Sequence, residues 1–143
     1  MKRFLSITSD PIDEAGFVAS RTLSSGMGAA VYFSGVVRGQ EGADAIVAID
    51  YSCFVSMAEH QFHRLFDRLA ERGSVESVRL VHRIGRVAVG ESSLWIEVVS
   101  AHRAEAFGAC LWVIDEMKQV VPIWKTPVTA AEASSPLNPN PTS

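Results

Sequence analysis

The segment from Ser100 to Lys125 constrains the fold most, because it predicts one long helix with a basic residue near each end. Ser100 can cap the first turn, and Pro122 cannot continue a helix, so we expect the helix to end near Gln119. Apolar side chains recur at helical spacing within it; they are Phe107, Cys110, Ile114 and Met117. One side of this helix is therefore expected to be buried.

Two cations lie close to that apolar stripe. At 100° per residue, Lys118 falls about 20° from Phe107 on the helical wheel and Arg103 about 40° from it on the other side. Both side chains either extend to water at the ends of the stripe or line pockets for an anion. A rise of 1.5 Å per residue separates them by about 22 Å, too far for one small ligand within one chain. A shared site would need a two-fold dimer, which brings the Arg103 end of one protomer to the Lys118 end of the other.

Composition excludes several classes of function. The 143 residues suit one domain with a single core. A net charge of −3 and a pI near 5.8 argue against nucleic-acid or membrane-surface binding as the main role. We see no signal peptide and no apolar run of membrane-spanning length, so a cytoplasmic location is expected. Cys53 and Cys110 fit a reducing compartment, and we expect both to be core thiols, not disulfide partners or nucleophiles.

The rest of the chain predicts short strands and helices in an α+β domain with a largely antiparallel sheet. Strands are expected at residues 3–8, 29–37, 45–54, 75–82, 86–89 and 93–100. Helices are expected from Pro11 to Gly26 and from Ser56 to Arg72, the second ending at Gly73 with an inward face of Met57, Phe62, Leu65, Phe66 and Leu69. Residues 126–143 are small, polar and proline-rich, so we expect a disordered tail after a folded domain at 1–125.

Smaller patterns have both a structural and a functional interpretation. Gly35 near Arg38 predicts either a bulge that re-aims a charge or an exposed arginine in the mobile glycine-rich loop 39–45. His60 and His63 lie one turn apart on a helix, but no further ligand completes a metal site, so a solvated pair is expected. A basic cluster is expected to form a solvated sheet edge; it comprises Arg79, His82, Arg83 and Arg86.

Four motifs occur in a characteristic order, namely GVVR at 35–38, HRIGRVAVGE at 82–91, SAHRAEAF at 100–107 and MKQVVPIWK at 117–125. In this order and spacing, across residues 3–125, the chain resembles the catalytic (large) subunit of molybdopterin synthase. The resemblance implies an α/β-hammerhead fold, in which a mostly antiparallel sheet packs with about three helices, consistent with the α+β pattern above.

The resemblance also implies a function. Members of this family are sulfurtransferases of molybdenum cofactor biosynthesis that convert cyclic pyranopterin monophosphate to molybdopterin. The sulfur comes from the C-terminal Gly-Gly thiocarboxylate of a small ubiquitin-like subunit. The large subunit forms a central homodimer with one small subunit at each end, a heterotetramer whose active sites are shared across the dimer. No resident cofactor or metal is implied.

The family's site residues map onto both ends of the long helix and onto one strand end. The resemblance assigns substrate binding to Val36, Val37, Arg38, His102, Arg103, Lys118 and Lys125. Arginine and lysine suit a phosphorylated substrate, because their N–H groups donate charge-assisted hydrogen bonds to phosphate. Lys118 is the expected catalytic residue, as nucleophile, acid–base group or oxyanion stabiliser, and Lys125 is expected to bind substrate and to share acid–base work.

The chain departs from the family pattern at two places. Ser52 follows Tyr51 where the family usually has an acidic residue, and Thr126 and Pro127 follow Lys125 where it usually has a basic and then an acidic residue. These departures leave open a non-catalytic, anion-binding or scaffold paralogue that binds the small subunit without turnover. A small thioester hydrolase is a third possibility, but no acidic residue placed against the long helix supports it.

Overall fold

Nine strands and four helices make up the part of the chain that the computed structural model describes, residues 1–134. The strands are β1 (Lys2–Thr8), β2 (Ala29–Val36), β3 (Gln40–Glu41), β4 (Asp44–Ala45), β5 (Ala48–Ser52), β6 (Ser77–Arg83), β7 (Gly85–Ala88), β8 (Ser92–Ser100) and β9 (Trp124–Val128). The helices are α1 (Glu14–Ala19), α2 (Val55–Glu71), α3 (Arg103–Val120) and α4 (Ala130–Ala133).

The main sheet has the order β1-β6-β8-β2, with β1 and β6 parallel and the other pairs antiparallel. One face of this sheet carries Leu80 and Ile96, which pack with α2 and α3 in the principal core. Its other face carries Trp95, which stacks on Phe17 of α1 with ring centroids 5.1 Å apart. Because both faces are covered, β8 is buried along almost its whole length. The predicted α+β class is confirmed.

A second, smaller sheet stands beside the first in the order β7-β5-β9, all antiparallel. It encloses a small separate core of Val37, Ile46, Ile49 and Val87. The short hairpin β3–β4 precedes this sheet and turns at Gly42, whose φ of 60° favours glycine. Residues 39–45 therefore form a hairpin and not the mobile loop expected from their composition.

The buried face of α3 differs from the predicted stripe. Phe107 is 63% exposed, whereas Cys110 and Met117 of the predicted stripe are buried together with Ala106, Ala109 and Val113. The buried face is therefore rotated away from Phe107 towards the small alanines, which let a helix approach its neighbours closely. The helix also begins later than expected, because Ser100 is the buried last residue of β8 and His102 occupies the N-cap position.

The two earlier helices also differ from prediction at their ends. α1 begins at Glu14 under an Asp13 cap and ends at Ala19, so it is shorter than the expected span. α2 starts from Phe54 without a side-chain cap, and Met57 in its first turn is 53% exposed. Gly73 ends the segment as predicted, with a φ of 73°.

Three residues of the basic cluster do not lie at a sheet edge. Their strand, β6, has a partner on each side, and His82 and Arg83 are 5% and 6% exposed. Arg79 donates two hydrogen bonds to Glu97 of β8, at 2.7 and 2.8 Å. The expectation of a solvated edge is therefore wrong for these three, because β1 covers the side of β6 that the sequence alone leaves open. Arg86 lies on the edge strand β7, where it pairs with Asp50 of β5 at 2.9 Å.

The chain after Lys125 is ordered further than expected. β9 pairs with β5 through Val128, and α4 follows with a capping box between Thr129 and Glu132. The expectation of disorder is wrong for residues 126–134, since backbone pairing with β5 holds the chain as far as Val128 and the capping box stabilises the turn that follows. Residues 135–143 lie outside the described residues. No helix within residues 1–134 is long and apolar enough to cross a membrane.

Candidate active site

A cavity of about 400 Å³ lies between the C-terminal half of α3, the main sheet and β5. Its apolar walls come mainly from the principal core and include Phe33, Leu94, Met117 and Val121. The polar side chains that reach it include Tyr51, His82, Lys118 and Lys125. The arrangement combines a surface for a flat apolar ring with two cationic groups, which suits an anionic small molecule.

The short exit from α3 places the two lysines on the same cavity. Lys118 lies in the last turn of α3, and Pro122 prevents the helix from continuing. The chain then enters β9, where Lys125 pairs in register with Tyr51 of β5. Both lysine side chains are exposed at the mouth of the cavity. The Nζ of Lys125 lies 3.1 Å from Oε1 of Glu41 on the β3–β4 hairpin.

A bulge at the end of β2 orients the GVVR motif. The register against β8 shifts between Gly35 and Val36, which agrees with the first of the two interpretations of this segment. A Cβ on Gly35 would lie 3.3 Å from the Leu94 Cβ and from the Phe33 ring, so glycine permits the close approach of β2 and β8 there. Val36 consequently lines the cavity, and Arg38 is exposed beyond the strand.

Val37 does not fit its predicted role in substrate binding. Its side chain is 3% exposed and packs in the smaller core. Its N–H donates to the carbonyl of Glu91, and its carbonyl accepts from the N–H of Gly90. Residue 37 therefore stabilises the sheet junction, because the bulge between Gly35 and Val36 breaks the alternation of β2 just before it.

His102 and Arg103 lie at the opposite end of α3. Both are exposed, and with Gly28 and Ala101 they line a shallow depression separate from the cavity. Fifteen residues of helix separate Arg103 from Lys118, an axial distance of about 22 Å. Within one chain, therefore, Lys118 and Lys125 lie at the cavity and His102 and Arg103 at the depression, while Arg38 lines neither.

His82 is a polar residue of the cavity that the sequence analysis assigned to a solvated edge. It is 5% exposed, and its Nδ1 lies 2.7 Å from the carbonyl oxygen of Arg83. Burial lowers the pKa of His82 below its ordinary value, so the ring is neutral at pH 7. The local sequence carried no signal for this enclosure, because the pairing of β1 with β6 joins strands that are distant in sequence.

The cysteines and exposed histidines do not add a second reactive centre. Cys53 and Cys110 are free and buried, and burial raises the pKa of the Cys110 thiol to about 11. Such a thiol stays protonated at neutral pH and packs as a core residue, as predicted. His60 and His63 are exposed on α2, and residues 1–134 contain no cluster of three His, Cys, Asp or Glu side chains arranged for a metal.

Comparison with known proteins defines the class to which this fold and cavity belong. The model of the family described as MoaE protein matches residues 7–120. The molybdopterin synthase catalytic subunit of Thermoplasma volcanium is 36% identical over 122 residues, which cover 85% of this chain and 88% of that protein. The catalytic subunit of Pyrococcus abyssi is 36% identical over 106 residues, covering 74% of this chain and 72% of the relative.

Solved structures agree with the sequence relatives. The crystal structure of molybdopterin synthase from Staphylococcus aureus superposes with a TM-score of 0.80 at 30% identity, covering 90% of this chain and 93% of that one. The chain belongs to the MoaE family. The resemblance inferred from the four motifs is confirmed, and with it the predicted fold and class of enzyme.

Proposed function

We propose that this chain is the catalytic subunit of a molybdopterin synthase, which transfers sulfur from a carrier's C-terminal thiocarboxylate to a cyclic pyranopterin monophosphate. The observation that carries the proposal is the convergence of Lys118 and Lys125 on one apolar-walled cavity in a chain of this family. The naming of its relatives as catalytic subunits favours an enzyme over a non-catalytic scaffold.

The chemistry of the cavity suits both reactants. Lysine ammonium groups attract phosphate and thiocarboxylate, and they donate charge-assisted hydrogen bonds to either group. Apolar walls such as Phe33 and Met117 provide contact area for a ring system and limit the water around the reacting atoms. Sulfur transfer benefits, because electrostatic stabilisation is stronger where water is excluded.

Lys118 is the proposed catalytic residue. Carrier release requires attack on the acyl carbon that bears the sulfur, and negative charge then develops on the acyl oxygen. An ammonium group at the mouth of the cavity can donate a hydrogen bond to that oxygen. Lys125, held beside Glu41, is proposed to bind the substrate's anionic group. A covalent carrier–Lys118 adduct in the mass spectrum would instead assign Lys118 as the nucleophile.

The complete site is proposed to need two copies of the chain. His102 and Arg103 lie too far from Lys118 within one protomer, but a two-fold dimer can bring them to the cavity of the other copy. Phe107 and Leu111, on α3 between the two groups, are 63% and 60% exposed. A second copy would cover this apolar surface, which supports the dimer.

The test of function is incubation of the protein with the cyclic precursor and a thiocarboxylated carrier. We expect the product mass to show two added sulfurs, and the carrier to return with a C-terminal carboxylate. A protein that binds both reactants without forming product would be the non-catalytic alternative. Failure of either reactant to bind would contradict the assignment altogether.

The composite site has its own test, in mixed dimers. Arg103→Ala and Lys118→Ala protomers are each expected to be inactive as homodimers. After subunit exchange, one of the two sites in a mixed dimer would contain neither substitution, so activity should return to about half of wild type per mixed dimer. Native mass spectrometry verifies the exchange. No recovery in well-exchanged dimers would show that the two residues do not serve one shared site.

A further inference from the structure

The cavity has two charged lysines at its opening and an uncharged histidine at its base. Lys118 and Lys125 are exposed, whereas His82 lies on β6 at the base of the cavity and is 5% exposed. Its ring is held from two directions. The rings of His82 and Tyr51 of β5 pack in a T-shaped arrangement, with their centroids 5.4 Å apart and an interplanar angle of 75°. The Nδ1 of His82 lies 2.7 Å from the Arg83 carbonyl oxygen.

The hydrogen bond to Arg83 fixes which nitrogen of His82 carries the proton. A carbonyl oxygen can only accept, so Nδ1 must be the protonated nitrogen and must donate. The neutral ring that burial favours then has its lone pair on Nε2. Nε2 is therefore a hydrogen-bond acceptor with a fixed direction.

No donor within residues 1–134 satisfies this acceptor. The hydrogen bonds of the His82 ring are limited to the one through Nδ1. The fully enclosed polar side-chain atoms without partners in the same part of the chain are Arg83 Nε and Ser100 Oγ, and Nε2 is not among them. Because His82 lines the cavity and its Nε2 is not among the fully enclosed atoms, a ligand in the cavity can reach Nε2.

We propose that Nε2 of His82 accepts a hydrogen bond from a ring N–H or O–H of the bound pyranopterin. This inference rests on the proposed function and adds a specificity-determining residue to it. The lysines at the mouth recognise the anionic part of the substrate, and His82 recognises a donor on its ring. A rigid acceptor discriminates well, because a ligand without the donor would leave a buried polar atom unpaired.

The experiment measures the affinity of the dimer for the cyclic precursor and, separately, for the carrier by calorimetry. In His82→Asn the amide N–H can take the place of Nδ1 and keep the bond to Arg83, but no atom reaches the position of Nε2. We expect the Kd for the precursor to rise about tenfold, the effect of one lost hydrogen bond, with the Kd for the carrier unchanged. The Tm measures separately the packing against Tyr51 that the smaller side chain loses.

Two further variants test whether the loss of affinity comes from Nε2 itself. His82→Gln extends an amide oxygen towards the position of Nε2, so it should recover most of the precursor affinity. His82→Phe keeps a ring at this position without its nitrogens. It replaces the asparagine variant in the experiment if that variant does not fold. His63→Asn, at an exposed position on α2, is the matched control and should bind the precursor like wild type.

Unchanged precursor affinity in His82→Asn and His82→Phe would overturn the inference while leaving the proposed function intact, provided that the wild type turns the precursor over. A loss of affinity for the carrier alone would also overturn it, because the donor would then be a backbone N–H of the carrier's tail. A wild-type protein that does not bind the precursor would contradict both proposals.

Discussion

Two charged centres lie on opposite faces of the main sheet, and their charged side chains have different roles. On the face covered by α1, Arg79 and Glu97 pair at 2.7 Å, and their side chains are 17% and 2% exposed. On the face covered by α2 and α3, Lys118 and Lys125 extend from the mouth of a cavity. A buried charge cannot lose its partner without a large cost to the fold, whereas an exposed charge at an apolar cavity remains available to a ligand.

The surroundings of each centre explain the difference. The Arg79 guanidinium also donates to the carbonyl of Phe17 at 2.6 Å and lies 5.3 Å from the Trp95 ring. Its hydrogen-bonding capacity is thus used within the protein. Lys118 lies at the C-terminal end of α3, where the helix dipole favours a cation without fixing its side chain.

The largest expected effect is on stability and comes from breaking the buried pair. Glu97→Ala leaves the Arg79 guanidinium buried without its carboxylate, so we expect the free energy of unfolding to fall by about 3–5 kcal/mol in urea denaturation. Glu116→Ala is the matched control. Its partner, Arg68, is 49% exposed at 3.2 Å, and we expect a loss of about 1 kcal/mol or less. If the free energy of unfolding fell equally in the two variants, burial would not distinguish the two ion pairs.

The next effect is on catalysis and comes from the cavity. Lys118→Ala should lower the rate of sulfur transfer about 100-fold or more, because one hydrogen-bond donor to the oxyanion is lost. The dimer should remain intact, and stability should change by less than about 0.5 kcal/mol because the side chain is exposed. Lys2→Ala, an exposed lysine on β1, is the control and should keep its activity. Full activity of Lys118→Ala would exclude that lysine from the mechanism.

The smallest effect tests whether Glu41 competes with the substrate for Lys125. The two side chains are 32% and 53% exposed, so their pairing at 3.1 Å contributes little to stability. Glu41→Gln should lower KM for the phosphorylated precursor about twofold at low ionic strength, and the difference should vanish at high salt. An increase in KM would show that Glu41 positions Lys125 instead of competing for it.

The hairpin residue Glu41 also bears on the departure from the family pattern after Lys125. Thr126 and Pro127 stand where the resemblance leads us to expect a basic and then an acidic residue, and the structure places the Glu41 carboxylate beside Lys125 from a different part of the chain. The sequence next to Lys125 cannot reveal this contact, since Glu41 and Lys125 are far apart in sequence and meet only through the hairpin.

The sequence by itself determined the features that depend on neighbouring residues. These include the α+β class, the end of α2 at Gly73 and the exit from α3 through Pro122. Periodicity, turn glycines and helix-breaking prolines act over a few residues, so they can be recognised without the fold.

Only the tertiary structure decided which side chains are enclosed. It exposed Phe107, placed Val37 in a core, paired residues 124–128 with β5 and enclosed His82 behind β1 and Tyr51. Burial depends on elements that are distant in sequence, and a helical wheel or an alternating strand pattern contains no information about what will pack against it.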